Sequence, residues 1–318
     1  MLLTSIRFLI TKVVYTFFFT FELITITNSL INMENKPEHN SCPWCNSKDG
    51  KFKWNINSFN LIECPKCEVI YVKEILTPSE LAGYYNQSPD VVYEDDNVEF
   101  IKYYYRKLKT IIEQDFPNKG TILDIGSSGG WFLDEMEGWE RHGIEISEKD
   151  ALKSQQRYGD SIFIGPLEDY PSKKDYFDVI ALQDVFDHLP MPKDALKKCW
   201  DMLKPGGMII IKVHDMDCLY AKVTGKNFYA LIPPYHLFYY NRRNLGVFLQ
   251  ENGFTNTYYK HIGHILKFET IFWRLSHSGK KPFWYKIFKL FNNTKIGQIA
   301  IPKNLNDIVT YFGKKKAA

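Results

Sequence analysis

Four cysteines stand in two pairs, Cys42-Pro43-Trp44-Cys45 and Cys64-Pro65-Lys66-Cys67, with eighteen residues between the pairs. Each C-x-x-C turn folds two thiolates toward one point, and two such knuckles complete a tetrahedron around zinc. Four sulfurs leave no open position for water, so a metal held this way is structural. A second set of residues has different chemistry. Ile122-Leu123-Asp124-Ile125-Gly126-Ser127-Ser128-Gly129-Gly130-Trp131-Phe132 runs from apolar residues to an acid, through small residues, and back to apolar ones. A buried strand that turns sharply into a helix reads this way. Glycine reaches positive φ cheaply, and bare backbone lets a ligand come close. The helix start presents N–H groups to polar atoms of a ligand. Glu145 follows 21 positions after Asp124, where an acid at the tip of a second strand can accept both hydroxyls of a ribose. The two together predict a nucleoside-binding α/β domain.

The elements that position these residues follow from periodicity and breakers. The segment Lys51 to Leu61 alternates as a short hairpin between the knuckles, giving a zinc ribbon. Phe100 to Phe116 carries Ile101, Tyr104, Tyr105, Leu108, Ile111 and Ile112 at helical spacing and stops at Pro117-Asn118-Lys119-Gly120. Strands are then expected from Thr121, over Arg141–Ile146, Ser161–Ile164, Asp178–Leu182 and Met208–Val213. A helix is expected over Glu148–Tyr158, ending at Gly159. Such alternation demands parallel strands with right-handed crossovers. Beyond it, a helix is predicted over Arg243–Asn252, a strand over Thr255–His261, and a last strand over Asn306–Phe312.

The glycine turn does not follow the G-x-G-x-x-G register of a dinucleotide fingerprint. Two further blocks give the resemblance: Phe177-Asp178-Val179-Ile180-Ala181-Leu182-Gln183-Asp184-Val185-Phe186-Asp187-His188-Leu189-Pro190, and Leu203-Lys204-Pro205-Gly206-Gly207 before an apolar strand. With the glycine turn and the ribose acid, these resemble the class I S-adenosylmethionine (SAM)-dependent methyltransferases. The likeness runs from Thr121 to Lys260. Ser128 stands where that family more often has Gly, and Asp187 where it has Glu. The resemblance implies a Rossmann-like seven-stranded sheet and SAM as cofactor. Gly126, Ser127 and Gly130 would meet its methionine part, with Asp124 orienting the turn and the amino group. Glu145 would hold the ribose, Leu167 and Glu168 the adenine, and Gln183 and Asp184 would face the sulfonium. His188 and His236 are the candidate bases. His236 lies in Pro233-Pro234-Tyr235-His236-Leu237-Phe238-Tyr239-Tyr240, where related C-methyltransferases carry a Glu-His pair; here Tyr235 replaces the Glu. The ribbon, the segment Leu76-Thr77-Pro78-Ser79-Glu80-Leu81-Ala82-Gly83-Tyr84-Tyr85 and the core together resemble methyltransferases of cell-surface polysaccharide and nucleotide-sugar pathways. That implies a small-molecule acceptor, a sugar derivative, and no nucleic acid.

The organisation expected is an apolar leader over 1–32, a zinc ribbon over 33–75, a helical linker over 76–118, and a methyltransferase domain over 119–318 with an insertion near 266–302. The leader has three readings: an upstream start with Met33 as the true one, a membrane anchor, or a packed helix. A thiolate-bound zinc implies a reducing compartment, hence the cytoplasm. Cys199 and Cys218 read as isolated structural thiols. The net charge of +3 hides an asymmetry: from His261 onward there are eleven Lys/Arg and two acids, a local +9 that leaves −6 for the rest. A basic aromatic region of this kind suits an anionic membrane surface or a phosphate-bearing substrate, though a solvated face beside a core face reads the same way. It also motivates a rival substrate, a lipid or quinone head group. A nucleic-acid-modifying ribbon protein is a weaker rival, because the strand exit reads Gln183-Asp184-Val185-Phe186 and has no base-methylating tetrad.

Overall fold

Two units divide the chain: one of residues up to Asp96 with Ile232–Phe238, the other of Asn97–Leu231 with Tyr239–Ala318. The computed structural model describes residues 36–77, 80–81, 98–277 and 282–317. The expected leader with its Met33 start, and Pro78, Ser79, Tyr84 and Tyr85 of the segment quoted above, lie outside the described residues.

The smaller unit is built on β1 (Lys51–Ile56), β2 (Phe59–Glu63) and β3 (Ile70–Val72), an antiparallel meander. Asn57 and Ser58 join β1 to β2 with φ of 51° and 68°. Two successive positive φ values make a turn whose twist matches the flanking strands. Phe59, Leu61, Val69 and Trp44 are fully or almost fully buried beneath it. Buried Glu74 accepts from the Asn60 backbone N–H at 3.0 Å and from Asn60 Nδ2 at 2.7 Å, which partly offsets the rise in its pKa that burial causes.

The larger unit opens with α1 (Val98–Asp115), whose Tyr104, Leu108 and Ile112 are buried at the predicted helical spacing. Then come β4 (Thr121–Ile125), α2 (Trp131–Glu135), β5 (Glu140–Glu145), α3 (Glu148–Tyr158), β6 (Ile162–Ile164), β7 (Phe177–Gln183), α4 (Pro192–Met202) and β8 (Leu203–His214). After α5 (Leu219–Thr224) the chain visits the smaller unit, and the two-residue β9 (Phe238–Tyr239) closes that unit's sheet in the order β1-β2-β3-β9. The larger unit finishes with α6 (Arg242–Glu251), β10 (Phe254–Lys260), β11 (His264–Lys267), α7 (Phe268–His277), α8 (Pro282–Phe291), β12 (Ala300–Lys303) and β13 (Ile308–Lys315).

Seven of these strands form one sheet in the order β10-β13-β8-β7-β4-β5-β6. The strands β6, β5, β4, β7 and β8 run parallel, and β13 is antiparallel to both its neighbours. This is the seven-stranded, Rossmann-like sheet that the sequence resemblance implied. All five residues of β4 are buried, as a central parallel strand covered on both faces requires. α3 ends where predicted, with Gly159 at φ 53° as its cap. β8 begins five residues before Met208, because Leu203 already pairs with Phe177 and an irregularity between Phe177 and Val179 absorbs the glycine turn. Strand order reverses at β4: β5 and β6 lie to one side, β7 and β8 to the other. A crevice at the carboxyl ends of β4 and β7 is the ligand position such a sheet offers.

Candidate functional site

Asp124 sits one residue before the end of β4 with 3% of its surface exposed. Burial drives its carboxyl well above the ordinary aspartate range, and the nearby Glu145 charge adds to this. The Gln183 amide lies alongside and opposes the shift without reaching a well-formed hydrogen bond. Oδ1 of Asp124, Oγ of Ser127, both polar atoms of the Gln183 side chain and Oδ1 of Asp184 are buried without a hydrogen-bond partner among the described residues. Five orphaned polar atoms at the carboxyl edge of β4 and β7 are costly unless a polar ligand meets them. Donors and acceptors are both present, as an amino acid moiety requires.

The turn itself is shaped by backbone. Gly126 has φ 75°, and a Cβ there would lie 2.2 Å from Val185 Cγ2, so only glycine fits. Its N–H and that of Ser127 both donate to Ile144 O, at 2.8 and 3.0 Å, tying the turn to β5. Gly130, at φ 81°, is the N-cap of α2. Glu145 is 8% exposed at the tip of β5. Its Oε2 accepts from Ser128 N at 2.7 Å and its Oε1 from Ser147 N at 2.8 Å. Burial raises its pKa, and these two N–H donors oppose the rise. Gly165, at φ 146°, follows β6 and donates its N–H to Glu145 O at 2.9 Å. Leu167 is buried in the next turn, whereas the Glu168 side chain is exposed and its carbonyl accepts from Lys198 Nζ at 2.8 Å.

β7 ends in Gln183, and Asp184 follows in the left-handed region at φ 56°. Asp184 Oδ2 meets Lys212 Nζ at 2.5 Å. Burial alone would push this carboxyl up, but the Lys212 ammonium, helped by His214, holds it below the usual value. The Lys212 ammonium also lies 4.6 Å from the Tyr104 ring centroid. Next, Asp187 is buried between two imidazoles: His188 Nε2 is 3.8 Å from its Oδ1, and His214 Nδ1 is 3.9 Å from its Oδ2. Burial lowers the His188 pKa, and the Asp187 and Asp184 charges recover only part of it. A neutral imidazole beside a carboxylate can accept a proton near neutral pH.

His236 belongs to the smaller unit, where it is buried and its N–H lies 3.4 Å from Ile232 O. The four cysteines of that unit converge: Cys42 and Cys67 sulfurs are 3.6 Å apart, Cys45 and Cys64 sulfurs 3.4 Å apart, and all four lie within 4.8 Å of one another. A disulfide needs about 2.05 Å. A tetrahedron with Zn–S near 2.3 Å has edges of about 3.8 Å, which these spacings approach. The two knuckles share one backbone pattern. Asn46 N donates to Cys42 O and Glu68 N to Cys64 O, and both Asn46 and Glu68 take positive φ. Crowding splits the thiols, Cys42 falling to about 5 through its contact with Cys67 while Cys67 is driven up, a conflict that a divalent cation relieves.

Sequence spacing brings Asp124, Gly126, Ser127, Gly130, Glu145, Gln183 and Asp184 to one edge of the sheet. It missed Lys212, His214, Ser147 and Val185. Lys212 carried a signal, a lone cation inside the apolar run Met208–Val213.

The pattern of a family described as a methyltransferase domain matches residues 98–259. The uncharacterized protein MJ1123 of Methanocaldococcus jannaschii is 31% identical over 105 residues, covering 33% of this chain and 50% of the relative. A ubiquinone biosynthesis O-methyltransferase of Coxiella burnetii is 27% identical over 133 residues, covering 38% of this chain and 57% of the relative. The chain thus spans about half the length of these curated relatives. A crystal structure of a SAM-dependent methyltransferase from Archaeoglobus fulgidus has a TM-score of 0.44 at 20% identity, covering 66% of this chain and 94% of that one.

Proposed function

We propose methylation of a hydroxyl on a small-molecule acceptor for this chain, which belongs to the methyltransferase-domain family and is a class I SAM-dependent methyltransferase. The acceptor we infer is a sugar, carried on a nucleotide or a lipid for cell-surface glycan synthesis. The observation that carries hydroxyl transfer is His188, its pKa lowered by burial, beside Asp187 in the turn after β7. The sugar reading rests on the sequence resemblance of the ribbon, the Leu76–Tyr85 segment and the core.

In this reading the orphaned atoms of Asp124, Ser127 and Gln183 receive the methionine part of the cofactor, with Gly126 and Gly130 giving it room. Glu145 takes the ribose hydroxyls, Leu167 and Glu168 border the adenine, and Asp184 faces the reacting side. Bound SAM supplies an electrophilic methyl group. The protein then has to align the acceptor and remove one proton. Asp187, 3.8 Å from His188 Nε2, orients the ring, and the other ring nitrogen, Nδ1, accepts the hydroxyl proton; His236 is the second candidate for that role. Lys212 keeps Asp184 ionised. The four cysteines hold a structural zinc, and the enzyme works in the cytoplasm. The domain plan is a leader over 1–32, a ribbon over 33–75, a linker over 76–118 and the methyltransferase domain over 119–318.

A second reading is a quinone or lipid head group, favoured by the name of the Coxiella burnetii relative. Calorimetric titration of S-adenosylhomocysteine into the full chain tests the cofactor assignment: micromolar binding is expected, lost in Glu145→Ala. His188→Gln should keep that affinity and lower kcat on nucleotide sugars by 10²-fold or more. Binding unaffected by Glu145→Ala refutes the ribose assignment, and turnover of phenolic head groups alone refutes the sugar.

A further inference from the structure

Between β11 and β12 the chain makes a helical hairpin, α7 and α8, closed on itself by aromatic rings. Phe272 stacks on Phe291 at 5.5 Å and on Trp284 at 6.1 Å between centroids, and Phe268 meets Phe291 edge-on at 5.2 Å. Those contacts use the inner face of α8. The outer face presents Phe283 (63% exposed) and Leu290 (71%), seven residues apart and so in line along the helix. Lys286 lies between them and Lys289 beside them, both exposed. Ile296, Ile299 and Lys295 extend the exposed surface beyond the helix.

Charge on this surface has one sign. From Pro282 to Asn306 there is no Asp or Glu. The acid of α7, Glu269, is buried, its carboxylate accepting from Asn293 N at 2.8 Å and Gln298 Nε2 at 2.7 Å. It holds the hairpin's end and leaves the exposed lysines uncancelled.

We propose that this outer face docks on an anionic lipid surface, with Phe283, Leu290, Ile296 and Ile299 entering the acyl boundary and Lys286, Lys289 and Lys295 at the phosphates. Lysine interleaved with large apolar groups suits a bilayer interface, where the stem is buried and the ammonium stays wet. The core of a protein interface is depleted of lysine, so a protein partner fits less well. A nucleic acid would be read by stacking aromatics, and three of the four exposed apolar side chains are aliphatic. No described helix is long and apolar enough to cross a membrane, so docking by this face lies on the surface. The inference does not depend on which acceptor is methylated.

Co-sedimentation of the full chain with phosphatidylcholine vesicles, with and without phosphatidylglycerol, tests it. Binding is expected to rise with phosphatidylglycerol and to fall with salt. Each lysine near such a surface contributes roughly fivefold, so K286Q/K289Q/K295Q should lower partitioning on the order of 100-fold. F283S/L290S should lower it at least tenfold on the same vesicles. Both variants should keep the wild-type circular dichroism and melting temperature. No preference for anionic vesicles, or equal binding by wild type and both variants, overturns the proposal; equal binding would place the contact elsewhere in the chain. Loss of binding to RNA alone in the lysine variant, with vesicle binding intact, overturns it in favour of a nucleic acid. None of these readouts involves methyl transfer, so failure of the functional reading would show separately.

Discussion

Asp124→Asn should make the protein more stable and a poorer binder of the cofactor, with a pH signature that separates this from a turn defect. The carboxyl is 3% exposed, its Oδ1 has no partner, and Glu145 is close enough to repel it. An unsatisfied buried polar group costs about 1–3 kcal/mol, and more when charged. Replacing the acid with a neutral amide of the same shape should recover about 1–2 kcal/mol at neutral pH. For a unit of this size that is a rise in Tm of about 2–8 °C. The sign with pH follows from linkage. Burial raises the folded-state pKa, so the folded protein holds the proton to higher pH than the unfolded chain. Wild-type stability therefore falls as pH climbs from about 4 toward the raised value. The Asn variant lacks this loss, so the gap in Tm should be narrow at pH 4 and widest at pH 7 to 8. Under the proposed assignment the carboxylate also receives the cofactor's amino group. Losing a charge-assisted hydrogen bond of about 1.5–3 kcal/mol weakens S-adenosylhomocysteine roughly 10- to 150-fold. Scanning calorimetry across pH and a calorimetric titration supply both numbers. A variant with lower Tm at every pH and unchanged affinity would refute the argument, since Asp124 would then only shape the turn.

Lys212→Met should cost about 1–3 kcal/mol in urea unfolding at pH 7, less than a fully buried pair because Asp184 is one-third exposed. The Asp184 pKa is held down in the folded protein, so the pair stabilises above the ordinary aspartate value and is lost as pH falls; the penalty should shrink at pH 3.5. Adding Asp184→Asn should restore most of it, and a penalty independent of pH would exclude the pair as its source. Cys45→Ser should lower bound zinc from about one per chain toward none and melt the β1–β3 hairpin's hydrogen-exchange protection. A folded, protected hairpin in metal-free wild type would refute a structural zinc.

What could be read from the chain without coordinates was whatever depends on near neighbours. Each knuckle is fixed by residues at most five apart: Cys42 N bonds Ser47 O and Cys64 N bonds Val69 O. The Gly126 turn needs positive φ at a known place, and that demand is written in the residue type. Lys212, Asp184, Asp187 and His214 were harder. Asp184 and Lys212 are adjacent because β7 lies beside β8, with Gln183 opposite Lys212 in register. Strand order sets that meeting, and a one-residue slip would break it. Glu168 shows the converse limit: spacing placed it after β6, but only the turn's geometry decides that Leu167 points inward and Glu168 outward.

In the proposed assignment Glu145 is the ribose acid, and its bonds show how such an acid and the glycine turn depend on each other. Its two oxygens accept the N–H groups of Ser128 and Ser147, one from the turn after β4 and one from the N-cap of α3. An ionised carboxylate has about four lone-pair sites, so two remain. The backbone donors fix the plane of the carboxylate before any ligand arrives, and the remaining sites are held in one orientation at no further cost in rotamer freedom. Burial meanwhile raises its pKa, so the ion is under-solvated, which in the proposed assignment the ribose hydroxyls would relieve. A vicinal diol supplies two such donors on adjacent carbons, matched to two oxygens of one group. A Gln in this place would keep the shape but turn one acceptor into a donor facing the Ser128 or Ser147 N–H. The turn would then lose its side-chain tie to β5, while the Gly126 and Ser127 bonds to Ile144 O remain, and in the proposed assignment the cofactor would lose a ribose acceptor in the same substitution.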